Sequence, residues 1–430
     1  MGAMARVVLV LAALGLACSP ADGEGPSLPP PDGGPRFVTL QITPPERLDL
    51  LFMLDNSPSP TGQMELGQNV DRLLRELMAL PGGTPDLHIG VITSDMGAGR
   101  IPLSNGGCPV IGGDRGVLQS KPFICPVPTG QRFLSVARGA SVPIDTLRCM
   151  MKVGVTGCGY EHQLAAVAAA LDPVATPENA GFLRPDAALA IVLITDEDDC
   201  SAPPETDLFA MELSDQGAST RCALAGHVCR GSHPPAAEFT APLNECRAAE
   251  DGPLYPVKVL VERIRASKAD PDRQLAVAAI FAMPGKHPNV PYQIVRSNQG
   301  LFLAPACQSQ LGEATVGLRM SAFVDALGPA AYALDVCVDD LGTTATTAGA
   351  IIVDRFTSAC LPESVVACDV NANGPLPRCQ RGDLGPCWQE QRDARCPDSG
   401  GTLRVFGTVL LAPGTTITAR CQVGVLHDQK

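Results

Sequence analysis

Aromatic residues make up only 4% of this 430-residue chain, and tryptophan occurs once, at Trp388. That scarcity argues against a broad aromatic platform for stacking sugars. Positive charge is also short: 32 Lys and Arg stand against 45 Asp and Glu, a net of −13. Nucleic acids need a concentrated basic footprint, so they are excluded as partners. No G-x-S-x-G elbow, phosphate loop or GxGxxG turn follows a predicted strand, so no familiar enzyme class is marked. An apolar run of the length that spans a bilayer is missing as well. What the chain does have is 45% hydrophobic residues, enough for a sizeable core, and an acidic balance suited to an exported protein or one that meets divalent cations.

The first twenty residues, "MGAMARVVLVLAALGLACSP", place Arg6 ahead of about ten apolar residues and small residues before Cys18. This resembles a bacterial lipoprotein signal over residues 1–18, and the resemblance implies cleavage before Cys18 and its acylation. Membrane association is then by the lipid anchor alone; an ordinary secretory signal cut near Ala17 is the alternative. Setting Cys18 aside leaves 16 of the 17 cysteines, an even number expected to form disulfides in an oxidising compartment. Cys108 with Cys125, and Cys149 with Cys158, have the spacing of local loop staples. His227, Cys229 and His233 lie at zinc-like spacing, but a disulfide at Cys229 is the expected outcome.

Residues 19–37 are rich in Pro, Gly and acid without apolar periodicity, which predicts a flexible tether. Four near-continuous apolar runs follow, at 48–54, 87–93, 189–195 and 275–282, as expected of strands buried on both faces of a parallel sheet. Helical spacing of apolar residues marks 64–80, 161–171 and 257–267, and "AYALDVCVDD" with "AGAIIVDRF" predicts a last strand and helix. Alternating strand and helix gives an α/β, doubly wound, mostly parallel Rossmann-like sheet. It occupies 38–362, with long Cys-containing insertions at 94–148 and 200–250. A small disulfide-rich β extension is expected over 363–430.

In such sheets ligands bind beyond the carboxyl ends of the strands, at the switch point. Asp55 follows the first of the four runs and Asp196 follows the third. Ser57 and Ser59 alternate with Asp55 in the turn "DNSPS", so that two hydroxyls and a carboxylate can be aimed at one hard cation. At these residues the chain resembles the von Willebrand factor A domain family, whose metal-ion-dependent adhesion site has Asp-x-Ser-x-Ser after the first strand, a threonine on a later loop and an aspartate after the fourth strand. "DNSPS" and "LITDEDD" match the first and last elements. The overall texture is similar to cysteine-rich bacterial lipoproteins of that family, over about 48–360.

The resemblance implies a Mg²⁺, Mn²⁺ or Ca²⁺ ion held by Asp55, Ser57, Ser59 and Asp196, and binding of a protein or glycan ligand. The chain departs from the family where Glu161 stands in place of the threonine, with Thr156 as the alternative, and where Pro58 replaces a frequent glycine. A glutamate there adds negative charge, favours retention of the cation and disfavours an acidic partner. Glu197, Asp198 and Asp199 are expected to form a solvated rim, with a second Ca²⁺ as the less favoured reading. His88 is expected to be a satisfied core or edge residue, and His162 the histidine nearest the site. A metal-dependent hydrolase, and a structural envelope protein with a vestigial site, are the rival readings.

Overall fold

The computed structural model describes residues 36–58, 63–100, 108–121, 124–125, 127, 131–209, 217–287, 290–298, 300–361, 365–380, 383, 385–393, 396 and 401–423. The predicted signal, Cys18, most of the tether and Ser59 lie outside them. Strands β1 (Arg36–Ile42), β2 (Arg47–Leu54), β3 (Asp86–Thr93), β4 (Leu134–Val136), β5 (Ala188–Ile194), β6 (Leu275–Phe281) and β7 (Ala331–Asp335) lead into β8 (Ser358–Cys360), β9 (Val365–Asn371), β10 (Cys387–Arg392), β11 (Gly401–Phe406) and β12 (Ile417–Val423). The helices used below are α1 (Gln63–Gln68), α2 (Val70–Leu77), α3 (Gln163–Ala170), α4 (Val257–Arg265), α5 (Leu318–Leu327) and α6 (Leu341–Thr357).

All four apolar runs are strands of one six-stranded sheet, ordered β7-β6-β5-β2-β3-β4. Every pairing is parallel except β3 with β4. Because alternate side chains leave opposite faces, Leu50, Phe52 and Leu54 of β2 enter the core beneath α1, α2 and α6, while Leu51 and Met53 enter the one beneath α3, α4 and α5. The chain runs outward from β2 to β3 and β4, then returns to the other side of β2 with β5. The switch point is therefore the β2–β5 boundary.

One predicted helix, 64–80, is two. The break falls at Asn69, whose backbone N–H is shared between the Glu65 and Leu66 carbonyls at 3.1 Å each and whose Nδ2 also donates to the Glu65 carbonyl at 2.9 Å. The local staples also differ from expectation: Cys108 pairs with Cys158, and Cys125 with Cys149. These four cysteines lie in two layers. Cys125 and Cys149 belong with the core under the sheet, whereas Cys108 and Cys158 belong to a separate cluster above the strand ends. All 16 cysteines beyond Cys18 are disulfide-bonded. Among the described residues no helix is long and apolar enough to cross a membrane.

The C-terminal part forms two three-stranded antiparallel sheets, β1-β12-β9 and β8-β11-β10, around a core of its own that includes Trp388, Leu403 and Ile417. β1 pairs with β12 along all seven residues, Arg36 opposite Val423 to Ile42 opposite Ile417. The tether boundary expected at residue 37 thus falls inside a strand, and 36–42 joins the β extension, not the α/β body. The extension also starts earlier than 363, at β8. β11 and β12, on either side of Ala412-Pro413-Gly414, belong to different sheets.

One charge interrupts the apolar β2. Asp49 is fully buried, and its carboxylate accepts from Arg184 Nε at 2.8 Å and from the Arg184 backbone N–H at 2.8 Å. Buried Lys268 lies 3.4 Å away and donates to the Arg184 carbonyl. This triad ties the loop before β5 and the end of α4 to the amino end of the sheet. Replacing Asp49 by Ala leaves buried Lys268 with no carboxylate and Arg184 with Asp86 alone, and urea denaturation should show a loss of about 3–5 kcal/mol. A loss below about 1 kcal/mol would mean that the triad does not hold these segments.

Candidate cation site at the strand ends

Three parallel strands end level with one another. Leu54 faces Ile194 on one side and Thr93 on the other. The pairing continues one residue further: Asp55 N–H donates to the Ile194 carbonyl at 3.1 Å, and Ser94 N–H to the Leu54 carbonyl at 3.2 Å. Asp55, Ser94 and Thr195 therefore emerge side by side. Asp55 Oδ1 accepts from the Ser57 N–H at 2.9 Å and the Ser94 hydroxyl at 3.2 Å, and Oδ2 accepts from the Thr195 hydroxyl at 2.6 Å. Thr195 is itself held by Gln163 Nε2 at 2.8 Å, from the first residue of α3.

Glu161 reaches the same place from another part of the chain. The Glu161–His162 backbone is laced between the end of β3 and the loop after β5: His162 N–H donates to the Ser94 carbonyl at 2.9 Å, and Cys200 N–H to the Glu161 carbonyl at 2.8 Å. The Cys108–Cys158 and Cys200–Cys222 disulfides brace these loops. Gly157 N–H donates to the Asn56 carbonyl at 2.8 Å, and a Cβ at Gly157 would stand 2.3 Å from Asn56 Oδ1. Only glycine lets that loop lie on the Asp55 turn.

The resulting group of acids is Asp55, Glu161 and Glu197. Burial raises the pKa of all three carboxyls. Glu161 is pushed well above its ordinary 4.5, first by burial and then by the charges of Glu197 and Asp55. No Lys or Arg charge figures among the causes at any of the three. Among the described residues Asn56 Oδ1 and Gln163 Oε1 are buried acceptors with no hydrogen-bond donor, while the Glu161 and Glu197 carboxyls hydrogen-bond to each other and Glu197 also accepts from Ser219. Buried acceptors without donors are costly, and repelling carboxylates add to that cost.

A hard divalent cation suits this set. The donors are all oxygen, from carboxylates, amides and hydroxyls, as Mg²⁺, Mn²⁺ and Ca²⁺ prefer. The three carboxylates are not drawn within 4.8 Å of one another as a set, so an ion held here keeps water in its shell. Among the described residues the ligating atoms of His287, Cys307 and Asp335 do gather within that distance, but Cys307 is in a disulfide with Cys337.

Asp55, Ser57 and Glu161 are thus brought to one place, all buried. Asp196 leaves the adjacent strand end, also buried, with its carbonyl accepting from Thr315 N–H at 2.8 Å. Together with Glu197 it lines a cavity of about 200 Å³ bordered by Ser219, Glu313 and Thr315. Thr156 is exposed. Glu197, expected on a solvated rim, instead faces Glu161 and Asp55. The signal was available: it directly follows Asp196, but strand periodicity does not say which way a residue beyond the strand turns.

The rest of the acidic run is not a rim either. Asp198 accepts from the Arg319 and Met320 N–H groups at the start of α5, at 2.9 and 3.0 Å, and from His227 Nε2 at 2.7 Å. Asp199 accepts from Leu164 N–H near the start of α3 at 3.0 Å and pairs with buried Arg319 at 2.9 Å. Protein donors occupy both carboxylates, which argues against the second Ca²⁺. Cys229 is disulfide-bonded to Cys246, which removes it from a zinc set with His227 and His233. His88 Nδ1 is satisfied by the Phe182 carbonyl at 2.9 Å. His162 is buried behind Glu161, where burial lowers its pKa to about 4.

No family model matches this chain, nor does any curated protein. Among solved structures it is similar to a von Willebrand factor type A protein from Catenulispora acidiphila, at 10% identity and a TM-score of 0.33, covering 91% of this chain and 66% of that one. It is also similar to proximal thread matrix protein 1 from the mussel byssus, at 9% and 0.31, covering 74% and 50%. A third is the pilus adhesin SpaC from Lactobacillus rhamnosus GG in its open conformation, at 9% and 0.32, covering 92% and 41%. This chain accordingly spans about half the length of the first of these proteins to match, the byssus protein. Similarities at these scores carry no argument about function.

Proposed function

We propose that the strand-end cluster is a divalent-cation site of an exported binding module, which takes a protein or glycan ligand at the cation-bearing edge of the sheet. The observation that carries this is the meeting of buried Asp55 and Glu161 with half-buried Glu197, beside buried amide oxygens of Asn56 and Gln163 that lack donors and with no basic side chain among the described residues to balance the acids. Asp55 and Ser57 would hold the ion from one strand end, Glu161 and Glu197 from the loops above. Asp196 and, outside the described residues, Ser59 complete the proposed ligand set. When bound, Mg²⁺, Mn²⁺ or Ca²⁺ supplies positive charge and an exchangeable coordination position. Eight disulfides support the exported location, and acylation of Cys18 is the proposed anchor.

The Glu161 side chain gives this module its own character. An added carboxylate strengthens retention of the cation and lowers the charge left for an incoming acidic group. The preferred ligand is therefore one that offers neutral oxygens.

Titration calorimetry with Mg²⁺, Mn²⁺ and Ca²⁺ should give a saturable heat with the native chain and none with Asp55→Ala; equal heats from both would remove the cation reading. The pH dependence has a definite sign. Raised carboxyl pKa values keep protons on Glu161 and Glu197 above 4.5, and these protons must leave as the ion enters. Affinity should therefore increase from pH 5.5 to 7.5, with proton release visible as a buffer-dependent heat. Glu161→Thr should weaken cation binding by about tenfold, since ligand charge count tunes such affinities. An unchanged constant would place Glu161 outside the coordination shell.

A further inference from the structure

The cavity of about 200 Å³ that Asp196 and Glu197 line is walled by four separate parts of the chain. One is the loop after β5, which carries the two acids. The second is the start of the helix Ala218–Gly226, tied to that loop by the Cys200–Cys222 disulfide. The third is the strand Gly300–Leu303, held to the helix by buried Thr220. Its hydroxyl donates to the Leu301 carbonyl at 3.2 Å and accepts from the Leu303 N–H at 3.0 Å. The fourth, Gly312–Ala314 with Thr315, is fixed by the bond from Thr315 N–H to the Asp196 carbonyl. The fold itself therefore shapes this cavity, as ligand pockets usually are shaped. Pockets for larger ligands hold about 300–1,000 Å³, so this one is sized for a single ring or side chain.

Its lining is of two kinds. Asp196, Glu197 and Glu313 supply carboxylates, and Phe302, Leu303 and Pro305 supply apolar surface. Among the described residues no Lys, Arg or His lines it, so an anionic group would meet only like charge. An ionised carboxylate only accepts, at about four lone-pair sites, so acids already bonded within the wall still take protons from a ligand. The occupant must therefore bring donors. An ammonium group brings them, but it has no lone pair to offer a cation held by Asp196 and Glu197. A peptide carbonyl has the lone pair and no proton. A hydroxyl has both. Two adjacent hydroxyls serve both needs at once, and a sugar ring also carries a C–H face for the apolar wall. The scarcity of aromatics excludes a broad stacking platform, but one ring needs one aromatic, and half-buried Phe302 is there.

We infer, resting on the cation site proposed above, that the group entering this cavity is a neutral pyranose of a glycan. One of two adjacent hydroxyls takes the exchangeable position on the cation, the other donates to Glu313, and ring C–H groups lie against Phe302. Hard cations accept neutral hydroxyl oxygens of this kind. Glu313 is exposed, so the ring enters from solvent and the rest of the glycan stays outside.

Titration calorimetry on the full chain in Mg²⁺ tests this with the methyl α-pyranosides of glucose, mannose, galactose and fucose. At least one should bind saturably, and EDTA should abolish that binding. Phe302→Ala and Glu313→Ala should each weaken it at least fivefold. Phe302→Ala should keep the native Mg²⁺ heat, which reports an intact fold and cation site. A normal Mg²⁺ heat with no pyranoside binding would overturn this inference alone, whereas a missing Mg²⁺ heat would overturn the cation reading with it. Sugar binding that survives EDTA, or that Phe302→Ala leaves unchanged, would also overturn the inference. So would tighter binding of acetyl-lysine amide, with its free side-chain ammonium, because the occupant would then be a basic side chain of a protein.

Discussion

The site depends on one constraint, the parallel register between β2 and β5. These strands are 140 residues apart along the chain, yet Leu54 lies opposite Ile194 and Asp55 hydrogen-bonds to Ile194 and Thr195. Apolar packing on both faces sets that register. A slip of one residue would exchange the buried sets of Leu50, Phe52 and Leu54 with those of Leu51 and Met53. It would also carry Asp55 away from the Thr195 hydroxyl. Because β2 and β5 flank the switch point, the loops that follow them diverge and leave a crevice between them. The acids sit where the topology opens the sheet.

Holding carboxylates in such a crevice requires rigid surroundings, and the second half of the acidic run supplies them. Asp198 and Asp199 bind the first N–H groups of α5 and α3, where unpaired donors and the helix dipole both favour negative charge. Arg319, almost fully buried, joins Asp199 to the Tyr255 carbonyl. The loop carrying Asp196 and Glu197 is thereby fastened to two helices. Fastened in this way, the loop keeps the Glu197 backbone beside Glu161 and Asp55. Acid repulsion therefore persists in the folded chain and is available to be relieved by a ligand.

Much of the fold was legible because buried parallel strands announce themselves as unbroken apolar runs. The four runs match β2, β3, β5 and β6 to within a residue or two. The meeting of Asp55 with Glu161 was legible from the strand-end rule and from the offset of Glu161 to the following helix. Other features were not, for physical reasons. The pairing of β1 with β12 joins the two ends of the described chain, and neither strand's pattern names its partner. The cysteine pairing followed layers in space, not spacing along the chain. Glu197 and Asp198 are neighbours in sequence with opposite fates, one in the acid cluster and one on a helix terminus. The backbone path after a strand decides such fates, and residue type does not.

The nesting of two disulfides has a consequence for a protein exposed to proteases. The Cys125–Cys149 bridge lies wholly inside the segment closed by Cys108–Cys158. A protease that hydrolyses any single peptide bond between Cys108 and Cys158 therefore releases no fragment: both new termini stay covalently attached. The long insertion beside the acid cluster can be nicked while Gly157 and Glu161 remain in place, so wear on this surface need not become loss of the part.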